Sequence, residues 1–86
     1  MGIHFDDMAW RHYIDWQTLD RKTLKKINSL LTSIRRNGYQ SIGKVEKLKG
    51  ELSGFYSVRI DDKNRLVFYV RGGDVIIASC SGHYEG

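Results

Sequence analysis

Phe55-Tyr56-Ser57-Val58-Arg59-Ile60, Arg65-Leu66-Val67-Phe68-Tyr69-Val70 and Val75-Ile76-Ile77-Ala78-Ser79-Cys80 follow one another with only Asp61-Asp62-Lys63-Asn64 and Arg71-Gly72-Gly73-Asp74 between them. β-branched and aromatic residues crowd each run, and the separators are built from turn-forming residues. This stretch predicts a three-strand antiparallel meander. Within the first strand, Tyr56, Val58 and Ile60 share one face and Phe55, Ser57 and Arg59 the other. The apolar set should meet whatever covers the sheet, which leaves Arg59 on an open face.

The cover is legible upstream. Ile3 to Phe5 can make a short opening strand, after which Asp6 or Asp7 can cap a helix carrying Trp10, Tyr13, Ile14 and Gln17 at helical spacing, a stripe expected to face the core. Leu19-Asp20 breaks the pattern, and Asp20 suits the N-cap of a second helix with Leu24, Ile27, Leu31 and Ile34 on one side. That helix closes with Arg35 and Arg36 near its negative dipole end and then Gly38. Two helices with so short a joint imply an antiparallel hairpin. Between Tyr39 and Leu52 the periodicity fades, and the segment reads as a loop with one short strand around Val45 to Leu48. The fold class is therefore α+β: a short N-terminal strand, a two-helix antiparallel hairpin, then a mostly antiparallel twisted sheet, all in one domain spanning residues 1–86.

At 86 residues the chain should bury only roughly 60–65% of the surface its unfolded form exposes. It has no apolar run long enough to span a bilayer, and acids stand near its start where a signal peptide carries basic residues, so a cytoplasmic location is expected. Its single cysteine, Cys80, lies in an apolar run and is expected to be a core thiol. The net charge is +4. Acids cluster early (Asp6, Asp7, Asp15, Asp20), whereas Arg35, Arg36, Lys44, Lys47 and Lys49 follow with only Glu46 among them. Such a stretch is commonly a solvated face, but it also suits a polyanion.

Glu46, Lys49, Arg59, Arg65, His83 and Tyr84 fall on the strand-like segments and their edges, without the clustered cysteines or histidines that a metal site needs. No metal or other cofactor is expected. These side chains can cut RNA unaided: a carboxylate takes the proton of a ribose 2′-OH, a histidine gives one to the departing 5′-oxygen, and cations hold the crowded phosphate. An aromatic ring beside the histidine can stack on a base. Each residue also has a plain alternative. Glu46 can be a solvated loop carboxylate, His83 an exposed histidine near a terminus, Arg65 a strand-start cation paired with Asp61 or Asp62, and Tyr84 a ring packed on the sheet.

Lys44-Val45-Glu46-Lys47-Leu48-Lys49, Leu52-Ser53-Gly54-Phe55-Tyr56-Ser57-Val58-Arg59-Ile60, Asn64-Arg65-Leu66-Val67-Phe68 and the late His83-Tyr84 together resemble the YoeB (Txe) toxins of the RelE superfamily, over nearly the whole chain. The resemblance implies a RelE-like microbial RNase fold and a ribosome-dependent endoribonuclease that cleaves messenger RNA in the ribosomal A site. By the same match Glu46 is the general base, His83 the general acid and Arg65 the phosphate-stabilising arginine. Lys49, Arg59 and Lys44 are further basic contacts, and Tyr84 orients the RNA. The implied partners are a YefM-like antitoxin, the 30S A site and mRNA, with no membrane, and a homodimer of the free chain is compatible with it. Glu85-Gly86 depart from the family's usual His-Tyr ending and place a carboxylate near His83. Two rival functions use the same elements: a ParE-like inhibitor that blocks a protein such as gyrase, and a plain basic RNA-binding module.

Overall fold

The computed structural model describes residues 2–38 and 44–82. A first strand, β1 (Ile3–Phe5), leads into helix α1 (Asp7–Leu19) and helix α2 (Arg21–Asn37). Strand β2 (Val45–Lys47), a single 3-10 turn (Gly50–Leu52), and strands β3 (Tyr56–Arg59), β4 (Arg65–Arg71) and β5 (Asp74–Ser79) follow. The sheet order is β1-β5-β4-β3-β2. β2 pairs antiparallel with β3, β3 with β4 and β4 with β5, whereas β1 lies parallel to β5. The meander expected from the sequence is present, and β1 and β2 form the two edges of the sheet.

The helix joint is tighter than expected, because Asp20 alone separates α1 from α2. Its carboxylate accepts the backbone N–H groups of Lys22 and Thr23 at 3.0 and 3.3 Å and the Thr23 hydroxyl at 3.0 Å. Those N–H groups have no partner inside the helix, so the cap satisfies them. At the far end Gly38 takes a positive φ of 56° and returns its N–H to Ile34, closing α2 as the sequence predicts. Gly72 and Gly73, with φ of 59° and 82°, make the two-residue turn between β4 and β5, a conformation that residues with a Cβ rarely adopt.

One side of the sheet carries the core. Ile27, Leu30, Leu31 and Ile34 of α2 and Ala9 of α1 pack with Val58, Ile60, Leu66, Phe68, Val75, Ile77 and Cys80. Each fully buried aliphatic or aromatic side chain contributes about 1.5–3 kcal/mol. The expectation for β3 holds: Val58 and Ile60 enter this core and Tyr56 packs against it. Cys80 is buried, and its thiol lies 3.6 Å from the Ala9 carbonyl. Burial pushes its pKa up to about 12.

The phase predicted for α1 is corrected. Trp10 and Ile14 are exposed, and the inward line is Ala9, His12, Tyr13 and Trp16. That line is rotated by one residue, about 100°, from the predicted one. Polar anchors set it. Trp16 Nε1 donates to the Cys80 carbonyl at 2.8 Å, and His12 Nδ1 accepts the Cys80 N–H at 3.3 Å. The Tyr13 hydroxyl donates to Asn28 of α2 at 2.8 Å. Trp10 is held from outside by ring contacts with Phe5 and Tyr13.

Candidate active face

Strand register decides which polar side chains share a surface. Glu46 stands opposite Ser57, Ser57 opposite Val67, and Arg59 opposite Arg65. Partners in register project to the same side, as do residues two apart on one strand. Glu46, Ser57, Arg59, Arg65 and Val67 therefore lie together on the face turned away from the helices. Strands are spaced by about 4.8 Å and rise about 3.4 Å per residue, so the Glu46 and Arg65 backbones are separated by on the order of 12 Å. Two long side chains can close on one phosphodiester across that gap.

The other predicted contacts divide. Lys44 is exposed and directly precedes β2. Lys49 is also exposed but lies beyond β2, at the entry to the 3-10 turn, where the ladder no longer fixes the face it presents. Arg59 is ion-paired with Asp62 in the β3–β4 loop. Both partners are exposed, and such a pair adds little stability. Arg65 takes no carboxylate partner among the described residues, so the Asp61 or Asp62 pairing considered for it from sequence belongs to Arg59 instead. Asp61 is engaged elsewhere, accepting the N–H groups of Lys63 and Asn64 at 2.8 Å each. Burial raises the Asp61 pKa, but these donors and the Asn64 amide outweigh it and hold the carboxyl below its usual range.

His83, Tyr84, Glu85 and Gly86 lie outside the described residues, as do Tyr39 to Gly43. The chain reaches the edge of the described region at Gly82, and that point is anchored. The Arg65 N–H donates to the Gly82 carbonyl at 2.9 Å, and the Gly82 N–H donates to Asn64 Oδ1 at 2.9 Å. Asn64 Nδ2 in turn donates to the Asp61 carboxylate at 3.1 and 3.2 Å. Sequence reasoning placed Asn64 in a turn and gave it no further task. A network joining residues so distant along the chain leaves no local signal.

The remaining histidines are structural. His4 pairs with Asp74 at 3.2 Å beside the β4–β5 turn, and His12 holds the end of β5. Burial lowers the His12 pKa, opposed in part by the nearby Asp15 carboxylate. Among the described residues no group of three or more His, Cys, Asp or Glu could hold a metal ion. No described helix is long and apolar enough to cross a membrane. A groove of about 500 Å³ lined by Ile3, Phe5, Tyr13, Asn28, Leu31 and Arg35 opens between β1 and the helices, and none of the polar set borders it.

A two-helix layer on one side of a five-strand sheet, with Glu46, Arg59 and Arg65 on the other, defines a small α+β domain with a charged sheet face. The family model described as "YoeB-like toxin of bacterial type II toxin-antitoxin system" matches residues 5–84, and the chain belongs to that family. It is 42% identical over 85 residues to the toxin YoeB of Synechocystis sp., covering 99% of each chain. Its fold is similar to a YoeB/ParE toxin structure from Agrobacterium tumefaciens, with a TM-score of 0.93, 32% identity, and coverage of 98% of this chain and 100% of that one. It is also similar to the toxin of a YoeB–YefM complex from Staphylococcus aureus, with a TM-score of 0.88, 47% identity and 98% of each chain covered.

Proposed function

We propose that this toxin is a ribosome-dependent messenger RNA endoribonuclease that works without a metal ion. Glu46 takes the proton from the ribose 2′-OH, the 2′-oxygen attacks its own 3′-phosphate in line, and His83 protonates the departing 5′-oxygen. The products are a 2′,3′-cyclic phosphate and a 5′-hydroxyl. Arg65 neutralises the developing phosphorane charge through its planar fork, with Arg59, Lys49 and Lys44 supplying further positive charge and Tyr84 orienting a base. Each proton transfer is worth roughly 10²–10⁴ in rate. Alignment of the message in the A site supplies much of the remainder.

The observation that carries this proposal is the shared face of Glu46, Arg59 and Arg65. The anchoring of Gly82 to Arg65 adds support, because it fixes the last described residue beside that arginine's backbone. Arg59 must leave Asp62 to reach RNA, a small cost for an exposed pair. A ParE-like blocker or a simple RNA-binding module has no need for a carboxylate set among these cations. Likeness to the toxin of a YoeB–YefM complex supports a YefM-type antitoxin as the partner, and a cationic face favours an acidic segment that folds on contact. Acting on ribosomes places the protein in the cytoplasm.

The test is 5′-end mapping of messenger RNA after a short expression pulse, with Glu46→Gln and His83→Gln made separately. Codon-phased cuts are expected from the unaltered protein, and each variant should lose them while still co-sedimenting with ribosomes. Cleavage that persists in either variant, or that is abolished by EDTA under conditions that leave ribosomes intact, refutes the mechanism.

A further inference from the structure

Ser57 lies at the centre of β3 on the face turned away from the helices, yet it is only 1% exposed. Among the described residues its Oγ alone is a buried side-chain polar atom without a hydrogen-bond partner. The buried Ser79, by contrast, donates to the Ser81 carbonyl at 3.1 Å. A hydroxyl kept from water and left unpaired costs folding free energy that an alanine methyl would not. Such a cost persists where the group has a use in another state of the molecule.

The neighbours in register restrict what that use can be. On one side stands Val67, which offers no polar side-chain atom. Two residues along the same face is Arg59, whose guanidinium only donates, and beyond it Arg65, which also only donates. On the other side, directly opposite, stands Glu46. Side chains facing one another across antiparallel strands have Cβ atoms roughly 5 Å apart, within reach of a serine hydroxyl and a glutamate carboxylate. Glu46 is exposed, and no hydrogen bond or ion pair with another described residue fixes its carboxylate.

We propose that Ser57 is a positioning residue for Glu46. In the RNA-bound state its hydroxyl donates to one oxygen of the Glu46 carboxylate and leaves the other directed at the ribose 2′-OH. The free state holds the donor unpaired, and substrate, by settling Glu46 over the face, completes the bond. The inference rests on the nuclease reading of Glu46, and the experiment separates the two.

Ser57→Ala, Ser57→Cys, Glu46→Gln and Ser57→Ala/Glu46→Gln are compared in single-turnover cleavage on programmed ribosomes, alongside thermal unfolding. Ser57→Ala should melt at or above the temperature of the unaltered protein. It should lose roughly 10- to 100-fold in saturating rate, the range one hydrogen bond to a charged group supports, with the half-saturating concentration changed less than about twofold. Ser57→Cys keeps the shape in a slightly larger side chain with only a weak donor and should lose rate likewise. In the Glu46→Gln background, removing the hydroxyl should cost no more than about twofold further. Full activity of Ser57→Ala beside an inactive Glu46→Gln overturns the inference and leaves the nuclease reading intact. An equal loss in both backgrounds, or a lowered melting temperature, overturns it as well. Full activity of Glu46→Gln overturns both.

Discussion

Asn64→Ala tests whether the last described residues are held where the active face needs them. The substitution removes the acceptor of the Gly82 N–H and the donor to the Asp61 carboxylate. An intramolecular hydrogen bond contributes about 0.5–1.5 kcal/mol net, and a buried N–H left without an acceptor costs about 1–3 kcal/mol. The Gly82 site is half-buried, so water recovers part of the second amount, and a loss of about 1–2 kcal/mol is expected. For a domain of this size each kcal/mol lowers Tm by about 4–8 °C, which sets the fall at roughly 5–15 °C. Asn64→Asp keeps an acceptor for Gly82 but sets a second carboxylate against Asp61, so it should recover little of the loss at pH 7. Circular dichroism melts give the stabilities, and single-turnover cleavage measures the proposed activity in the same variants. Asn64→Ala with an unchanged Tm and an unchanged cleavage rate would refute the reasoning. A lower Tm with full cleavage would show that the anchor serves the fold alone.

Other expectations follow from the titrating groups. Asp20 is held below the usual carboxylate range chiefly by the Thr23 N–H, Asp74 chiefly by the Gly2 N–H and then by His4, and Asp61 by donors that outweigh its burial. A carboxylate with a lowered folded pKa adds stability that is complete above its unfolded value, about 3.9, and is lost as pH falls through the folded value. Tm should therefore drop steeply below about pH 4, less so in Asp20→Asn, which keeps a cap without the titration. His12 is also lowered, by burial first, so the folded state resists its protonation. Stability should decline as pH falls below about 6.5, and His12→Gln should flatten that part of a Tm-against-pH curve. Cys80 should resist a thiol reagent at pH 8 in the folded protein and react at once in guanidinium, since burial both hides the thiol and suppresses the thiolate.

Much of this fold is written in short-range pattern. Asx and glycine residues at 61–64 and 71–74 separate three runs of strand formers, and Asp20 caps α2 with its own side chain, so each signal sits beside the element it creates. The rotation of α1 is not local, because Trp16 and His12 are drawn inward by backbone groups of Cys80 on the far end of the chain. Trp10, the largest residue of the predicted stripe, finds Phe5 and Tyr13 outside the core. Alternation along β3 was enough to put Arg59 on the face away from the helices, and the short strand at Val45 brought Glu46 to the same side. The burial of Ser57 could not be read: a small polar residue on a face assigned to solvent carries no sign that the face is covered there. Nor could the choice of Arg59 over Arg65 as the partner of Asp62, which depends on how the 61–64 turn directs its carboxylates.

The pairing of Ile3 with Val75 and of Phe5 with Ile77 joins strands 72 positions apart in the sequence. Local helices can form while the polypeptide is still growing, but this seam must wait until β5 has cleared the exit tunnel, and it closes across most of the contour length. Closing the sheet at β1 is thus a late, non-local step. The edge strand β1 is therefore seated only once β5, the last strand of the sheet in chain order, exists to receive it.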